Sequence, residues 1–183
     1  MSGSEVGGAR TAVARIGVSA KVSDYVALTK PRIIELLLIT TVPTMFVAAQ
    51  RVPSFRLMAL TVVGGTLAAG GANALNMVYD RDIDALMERT KHRPLVTGAI
   101  SPLGATVFAL TLEVAAFILL WTTVNPLSAV LAVSATAFYM GIYTMWLKRS
   151  SPQNIVIGGA AGAIPPLVGW AAATGGLDLT ALA

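Results

Sequence analysis

Cysteine is absent from this chain of 183 residues, histidine occurs once, and charged residues make up only 12% of the sequence. Without cysteine the chain can form no disulfide, no cysteine-ligated zinc or iron–sulfur site and no thiol nucleophile. A single histidine excludes a multi-histidine metal site within one chain. A soluble domain carries about 25% charged residues, so this chain has too few of them to cover a surface that faces water.

Hydrophobic residues are correspondingly abundant, at 55% of the chain with a mean hydropathy of +0.73. They form five apolar segments, at roughly 33–49, 57–79, 103–124, 127–147 and 155–173. Each segment reaches the lower limit of about 17 residues for a transmembrane helix. Their hydrophobicity is continuous rather than alternating, which favours helices over the strands of a barrel. The sequence therefore predicts an all-α fold, a polytopic transmembrane helical bundle with five spans.

The charged residues that are present indicate how the spans are oriented. Of the 13 lysines and arginines, only Arg51 and Arg56 lie between segments 1 and 2. The others lie at or before the start of segment 1, between segments 2 and 3, or between segments 4 and 5. Because cytoplasmic loops carry the excess of Lys and Arg, this asymmetry predicts a cytoplasmic N-terminus. It also accounts for the net charge of +4. The sequence has no basic stripe interleaved with aromatics, which is the pattern that would predict nucleic-acid binding.

The chain divides into two parts by composition. Residues 1–24 are rich in Gly, Ser and Ala and carry no long apolar run, so we expect a flexible N-terminal tail. Residues 25–183 contain all five apolar segments and form the predicted membrane domain. Paired glycines within it, such as Gly70-Gly71, predict close helix packing or, alternatively, room for a bulky ligand.

A polar stripe ends segment 2. A helix turns by about 100° per residue, so Asn76, Asp80 and Asp84 fall within about 80° of one face. Asn73 lies inside that arc, whereas Asp82 points well away from it. Two carboxylates and two carboxamides are thus predicted to share one face at the cytoplasmic end of a membrane helix.

The two carboxylates of this stripe predict a metal site. Like charges four residues apart destabilise a helix, and acidic side chains are unfavourable at a helix C-terminus. A bound cation would remove both penalties, and Mg²⁺ is held in proteins by one or two carboxylates together with water and phosphate oxygens. We therefore predict that Asp80 and Asp84 are Mg²⁺ ligands and that Asn76 orients the site.

Basic residues lie on the same predicted side and complete a diphosphate site, because Arg and Lys bind phosphate oxygens. The candidate diphosphate-binding residues are Arg89, Arg93, Lys148, Arg149, Lys30, Arg32 and Asn73. The positive-inside rule alone could also account for the basic loop. Glu113, about midway along segment 3, is costly at that depth and is expected either to line the site or to meet a partner.

The spacing of Asn76, Asp80 and Asp84 resembles that of the UbiA superfamily of intramembrane prenyltransferases. Four further blocks in order, at 28–33, 87–95, 143–149 and 154–166, are similar to the branch of that superfamily that farnesylates haem. The resemblance implies a fold of nine helices, with Mg²⁺ as cofactor. It further implies transfer of the farnesyl group of farnesyl diphosphate to a vinyl group of haem b in a bacterial plasma membrane, with haem A synthase as a candidate partner.

The chain departs from this family in its later part. The family carries a second Asp-rich motif, whereas the acids after Asp84 are only Glu88, Glu113 and Asp178. We therefore expect the chain to hold about the first three-fifths of such an enzyme and to show no turnover alone.

Three alternatives stay open at this stage. Another UbiA-type prenyltransferase would use a quinone precursor or chlorophyllide as acceptor, and the Asp motif does not exclude it. A channel or transporter subunit would use the acids as a cation site, although transport predicts ionisable residues near the bilayer midplane. The chain could also be an inactive piece of the enzyme.

Overall fold

The computed structural model describes residues 21–150 and 154–182, except for the side chains of residues 149, 154, 155 and 182. Every regular element in these ranges is helical, and five helices are long and apolar enough to cross a membrane. The helices are α1 (Pro31–Ala49), α2 (Phe55–Tyr79), the short α3 (Arg81–Leu86), α4 (Pro102–Thr123), α5 (Pro126–Leu147) and α6 (Asn154–Thr174). The predicted all-α fold with five spans is confirmed.

Local sequence signals determine where the spans begin. Proline occupies the start of α1, α4 and α5, where its missing N–H leaves no hydrogen bond unmade. Before α2, α4 and α5 a polar side chain accepts a hydrogen bond from a first-turn N–H; these caps are Ser54, Ser101 and Asn125. These spans therefore begin one or two residues before the apolar segments.

Helix α2 packs most extensively against α4, and glycine makes this approach possible. A Cβ placed on Gly71 would lie 2.9 Å from the carbonyl oxygen of Ala109 on α4. A Cβ on Gly64 would lie 2.5 Å from the side chain of Leu120. At these two positions the first expectation for the glycines, close helix packing, is the one observed. Helix α6 packs against α1 and α5.

A helix over residues 21–29 precedes the bundle. Leu28 is fully buried in a cluster that includes Ala74 and Met77 of α2, and Tyr25 packs on its edge. The ring of Tyr25 also meets that of Phe108 edge-on at a centroid distance of 5.0 Å. Residues 21–24 of the predicted tail are therefore helical, because apolar residues just beyond them anchor the segment. Residues 1–20 of that predicted tail lie outside the described residues.

We expect Gly71→Ala to lower the free energy of unfolding by about 1–3 kcal/mol, the usual effect of overpacking. The added methyl would meet a backbone carbonyl of α4, which cannot rotate away as a side chain can. Denaturant titration in mixed micelles measures the change. The matched control is Gly159→Ala, where a Cβ meets no described atom within 4 Å. Equal destabilisation of the two variants would contradict the packing argument.

Candidate active site

The polar stripe continues across a break between two helices. Helix α2 ends at Tyr79, Asp80 adopts φ −86° and ψ 3°, and α3 follows at once. The N–H of Asp80 still donates to the carbonyl of Asn76 at 2.9 Å, and that of Asp84 to the carbonyl of Asp80 at 2.8 Å. Asn76, Asp80 and Asp84 are 3%, 1% and 4% exposed, whereas Asp82 is exposed. The three side chains thus point into the protein together, as predicted.

Asp80 is the most deeply buried acid of the stripe, and one of its two oxygens carries all its contacts. Oδ2 accepts a hydrogen bond from Nδ2 of Asn76 at 2.8 Å and another from the ammonium group of Lys148. Oδ1 is buried and has no hydrogen-bond partner among the residues that the structure describes. Burying an unpaired carboxylate oxygen is costly, so Oδ1 is the atom of this site most suited to a further ligand.

Asp84 is held by the loop that follows α3. Its Oδ2 accepts from Nη1 of Arg93 at 2.5 Å, and its backbone carbonyl accepts from the hydroxyl of Thr90 at 2.9 Å. Thr90 is 1% exposed. The loop therefore folds back over the carboxylate and supplies its counter-charge from only nine residues away.

Lys30 reaches the same cluster from the turn before α1. Its Nζ donates to Oδ1 of Asn76 at 2.7 Å, and its backbone is left-handed at φ 53° and ψ 66°. Such a conformation is rare for a residue other than glycine and persists only where the surroundings hold it. Asn73 contributes by donating from Nδ2 to the carbonyl of Thr29 at 2.8 Å. Burial, followed by the positive charge of Arg93, lowers the pKa of Lys30 to about 8.

The structure brings together most, but not all, of the predicted site residues. Six form one buried or half-buried cluster: Lys30, Asn76, Asp80, Asp84, Arg93 and Lys148. Asn73 borders it. Arg32 and Arg89 are exposed and make no hydrogen bond or ion pair with the cluster within the described residues. The side chain of Arg149 lies outside the described part of the chain.

A residue that sequence reasoning missed also belongs to the cluster. Thr144 is fully buried, and its Oγ1 accepts from Nδ2 of Asn76 at 3.2 Å. It lies in the final part of α5, which is a π-helix from Tyr139 to Leu147. Isolated threonines are common in membrane helices, and the π-helix is not visible as a sequence pattern. No signal in the sequence distinguished Thr144 from its neighbours.

An apolar cavity of about 210 Å³ lies between α1, α2, α5 and α6. Its lining along α2 runs from Thr61 to Asn73, which is about 18 Å of helix. Asn73 marks the end nearest the carboxylates, since it lies about one turn before Asn76 on α2. Small residues line the walls, among them Gly65 and Gly162. These two glycines face the cavity, and room for a bulky ligand, the second expectation, stays a prediction there.

Glu113 lies beside this cavity rather than in its lining. Its Oε1 accepts from the hydroxyl of Thr136 at 2.9 Å, and Thr136 itself lines the cavity wall. Oε2 is buried without a hydrogen-bond partner in the described ranges. The expected partner of this intramembrane acid is thus a threonine on α5.

The cluster fits a hard divalent cation and an anionic ligand together. Within residues 21–150 and 154–182 no group of three or more acids and histidines could bind a metal. Mg²⁺, however, uses only one or two carboxylates and takes its other ligands from water and phosphate. Asp80 and Asp84 supply the carboxylates, one with an unused oxygen. Lys30, Arg93 and Lys148 carry three positive charges against the two negative charges of the acids, which leaves an excess of one positive charge.

Comparison with known proteins identifies the family of the chain. The model of the UbiA prenyltransferase family matches residues 37–183 of the chain. The chain belongs to the UbiA prenyltransferase family. It is an integral membrane protein with at least five helices that can span a bilayer.

Relatives within the UbiA family are considerably longer than this chain. The protoheme IX farnesyltransferase of Streptomyces coelicolor is 60% identical over 159 residues, which is 87% of this chain and 50% of that protein. The protoheme IX farnesyltransferase of Thermosynechococcus vestitus is 58% identical over 164 residues, or 90% of this chain and 52% of that protein. The chain spans about half the length of the curated relatives it matches.

Solved structures share the UbiA fold. A UbiA homologue from Archaeoglobus fulgidus, bound to DMAPP and Mg²⁺, has a TM-score of 0.73 and 16% sequence identity. The match covers 85% of this chain and 56% of that one. The same homologue bound to GPP and Mg²⁺ has a TM-score of 0.66. At this identity the likeness establishes the fold.

We expect Lys148→Met to lower the free energy of unfolding by about 3 kcal/mol, because it leaves the carboxylate of Asp80 buried without its counter-ion. The measurement is denaturant titration with a metal chelator present.

Lys91→Met provides the matched control. Lys91 pairs with Glu88 at 2.5 Å, but these side chains are 45% and 89% exposed. An exposed pair of this kind contributes less than about 1 kcal/mol. If both methionine variants lose the same stability, the pairing of Lys148 with Asp80 is not the source of the effect.

Proposed function

We propose that this chain carries the donor site of an Mg²⁺-dependent farnesyltransferase that modifies haem b. The supporting observation is the position of the buried Asp80 and Asp84, which lie among three cationic side chains at one end of an apolar cavity. The reaction joins C1 of farnesyl diphosphate to the terminal carbon of a haem vinyl group as the C1–O bond to diphosphate breaks. Water adds to the other vinyl carbon and releases a proton, which gives haem O.

The charged end of the site suits the departure of diphosphate. Bound at Asp80 and Asp84, Mg²⁺ would stabilise the negative charge that develops on the leaving group. Arg93 offers a planar guanidinium that can bind two phosphate oxygens, while Lys30 and Lys148 act as point charges. All three cations are already concentrated at the cluster, so little reorganisation is needed to bind the anion.

The apolar end of the site suits the isoprenoid tail. An allylic cation is quenched by water, so it needs a dry pocket. The cavity is lined largely by aliphatic side chains and glycine, and its polar lining residues are Asn73, Tyr139 and three threonines. The head of the donor would therefore lie at the carboxylates and its tail along α2. No protein nucleophile is required, in keeping with the absence of cysteine.

The donor and acceptor classes draw support from relatives. The Archaeoglobus fulgidus homologue binds DMAPP or GPP with Mg²⁺, and the relatives at about 60% identity are named protoheme IX farnesyltransferase. We extend both properties to this chain. We also propose that its N-terminus is cytoplasmic, that it resides in a bacterial plasma membrane, and that haem A synthase takes up its product.

Farnesyl transfer tests this function. Residues 25–183 replace the matching half of the Streptomyces coelicolor relative, so that the donor site is studied within a protein of the relatives' length. We expect Asp80→Asn to lower turnover by at least about 100-fold, since it removes charge stabilisation of the leaving group. Haem b and hydroxybenzoate are compared as acceptors by product mass spectrometry.

Asp82→Asn is the matched control, because Asp82 lies on α3 but is exposed. It should keep at least half of the parent's turnover. Near-parental turnover by Asp80→Asn would remove the metal-site assignment, and prenylation of hydroxybenzoate alone would overturn the haem acceptor. The 183-residue chain by itself should show no turnover.

Filling the cavity should affect the tail of the donor selectively. Gly162 lines the cavity, and a Cβ there meets no described atom within 4 Å. Gly162→Leu should therefore lower kcat/KM for farnesyl diphosphate by about 10-fold or more and affect the shorter dimethylallyl diphosphate less. A methylene in an apolar pocket is worth about 1–3 kcal/mol.

Gly159→Leu controls for the leucine itself. Gly159 has the same free space on the same helix but does not line the cavity. Loss of activity by both variants with both donors would refute the assignment of the cavity to the isoprenoid tail.

A further inference from the structure

Thr144 differs from most described threonines of the spans in where its hydroxyl points; like Thr136, whose hydroxyl donates to Glu113 on α4, it bonds across helices. The hydroxyls of Thr61, Thr66 and Thr111, for example, each donate to a carbonyl four residues earlier in their own helix. The hydroxyl of Thr144 instead faces α2 and accepts from Asn76, and within the described residues it makes no bond to its own helix. A fully buried hydroxyl used only across helices indicates a role in the cluster.

The contact completes the hydrogen bonding of the Asn76 amide. Its Oδ1 accepts from Lys30 at 2.7 Å, and its Nδ2 donates to Asp80 at 2.8 Å and to Thr144 at 3.2 Å. An amide nitrogen has two hydrogens, and both are thereby used. The reversed amide would set its oxygen against the carboxylate of Asp80 and its NH₂ against the ammonium of Lys30. The network therefore assigns one orientation to Asn76.

That orientation determines which oxygen of Asp80 stays available. Nδ2 of Asn76 and the ammonium of Lys148 both engage Oδ2, and Oδ1 remains buried without a described partner. If Asn76 rotated away, the carboxylate would lose one of the two donors that hold its plane. Oδ1 of Asp80 would then no longer be held in one fixed orientation.

We propose that Thr144 is a positioning residue for the metal site. Its hydroxyl oxygen holds the amide of Asn76, and Asn76 in turn holds Asp80 so that Oδ1 is presented to Mg²⁺. This inference rests on the proposed function, since it assumes that Asp80 is a metal ligand. Groups that orient a metal ligand through hydrogen bonds typically change metal affinity by about 10–100-fold when mutated.

The two supports come from neighbouring positions along the chain. Thr144 lies in the π-helix that ends α5, and Lys148 follows that helix directly; they contact Asn76 and Asp80, respectively. π-helical turns are rare and occur frequently at functional sites. In this structure the π-helix carries the neutral hydroxyl to Asn76, and the cation that reaches Asp80 belongs to the residue directly after it.

Metal binding by the 183-residue chain in lipid nanodiscs provides the test. Mn²⁺ affinity in the presence of inorganic diphosphate is measured by electron paramagnetic resonance for the wild type, Thr144→Val and Thr144→Ser. Valine keeps the shape of threonine without the hydroxyl and should weaken Mn²⁺ binding by about 10-fold. Serine keeps the hydroxyl and should restore affinity to within about 2-fold. Should the valine variant fail to fold, Thr144→Ala carries the same expectation as valine.

Thr106→Val is the matched control, because the Thr106 hydroxyl donates to the carbonyl of Pro102 in its own helix, α4, which contributes no residue to the cluster. Its Mn²⁺ affinity should equal that of the wild type. Wild-type affinity in Thr144→Val, or equal loss in the valine and serine variants, overturns the role of the hydroxyl and leaves the donor site intact. Failure of the wild type to bind Mn²⁺ overturns the proposed metal site and this inference with it.

Discussion

The burial of two like-charged carboxylates, Asp80 and Asp84, is the constraint on which the rest of the site depends. A carboxylate removed from water needs a counter-charge or donors on its oxygens. Asp84 obtains its partner locally, from Arg93 in the loop after α3. Asp80 obtains its partner from Lys148, 68 residues away and just after the end of α5. Satisfying these two acids therefore joins α2, α3, the following loop and α5 at one end of the bundle.

Two departures from regular backbone geometry occur where this cluster is assembled. Lys30 is left-handed immediately before α1, and α5 becomes π-helical from Tyr139 onward. Each brings a side chain to Asn76, which lies at the centre of the network. Strained or rare conformations persist where tertiary contacts hold them and are concentrated at functional sites. Their coincidence around one amide supports a functional rather than a purely structural cluster.

Small residues give the remainder of the bundle two different properties. Gly64 and Gly71 let α2 approach α4 closely, which is the main contact in the bundle. Gly65 and Gly162 line the cavity between α2 and α6 instead. Glycine thus allows close helix packing on one face of α2 and lines a cavity on another. A charged site and an apolar cavity can therefore adjoin within a few turns of a single helix.

The sequence by itself determined the spans and the face shared by Asn76, Asp80 and Asp84, because hydropathy and the helical repeat are local properties. Tertiary structure decided which basic residues reach that face. Lys30, Arg93 and Lys148 do so, whereas Arg32 and Arg89 remain exposed, and composition alone could not separate these groups. The contribution of Thr144 was likewise unpredictable, since a hydroxyl in a membrane helix normally bonds its own backbone. Contacts between distant segments depend on how helices pack, and local sequence patterns do not determine that packing.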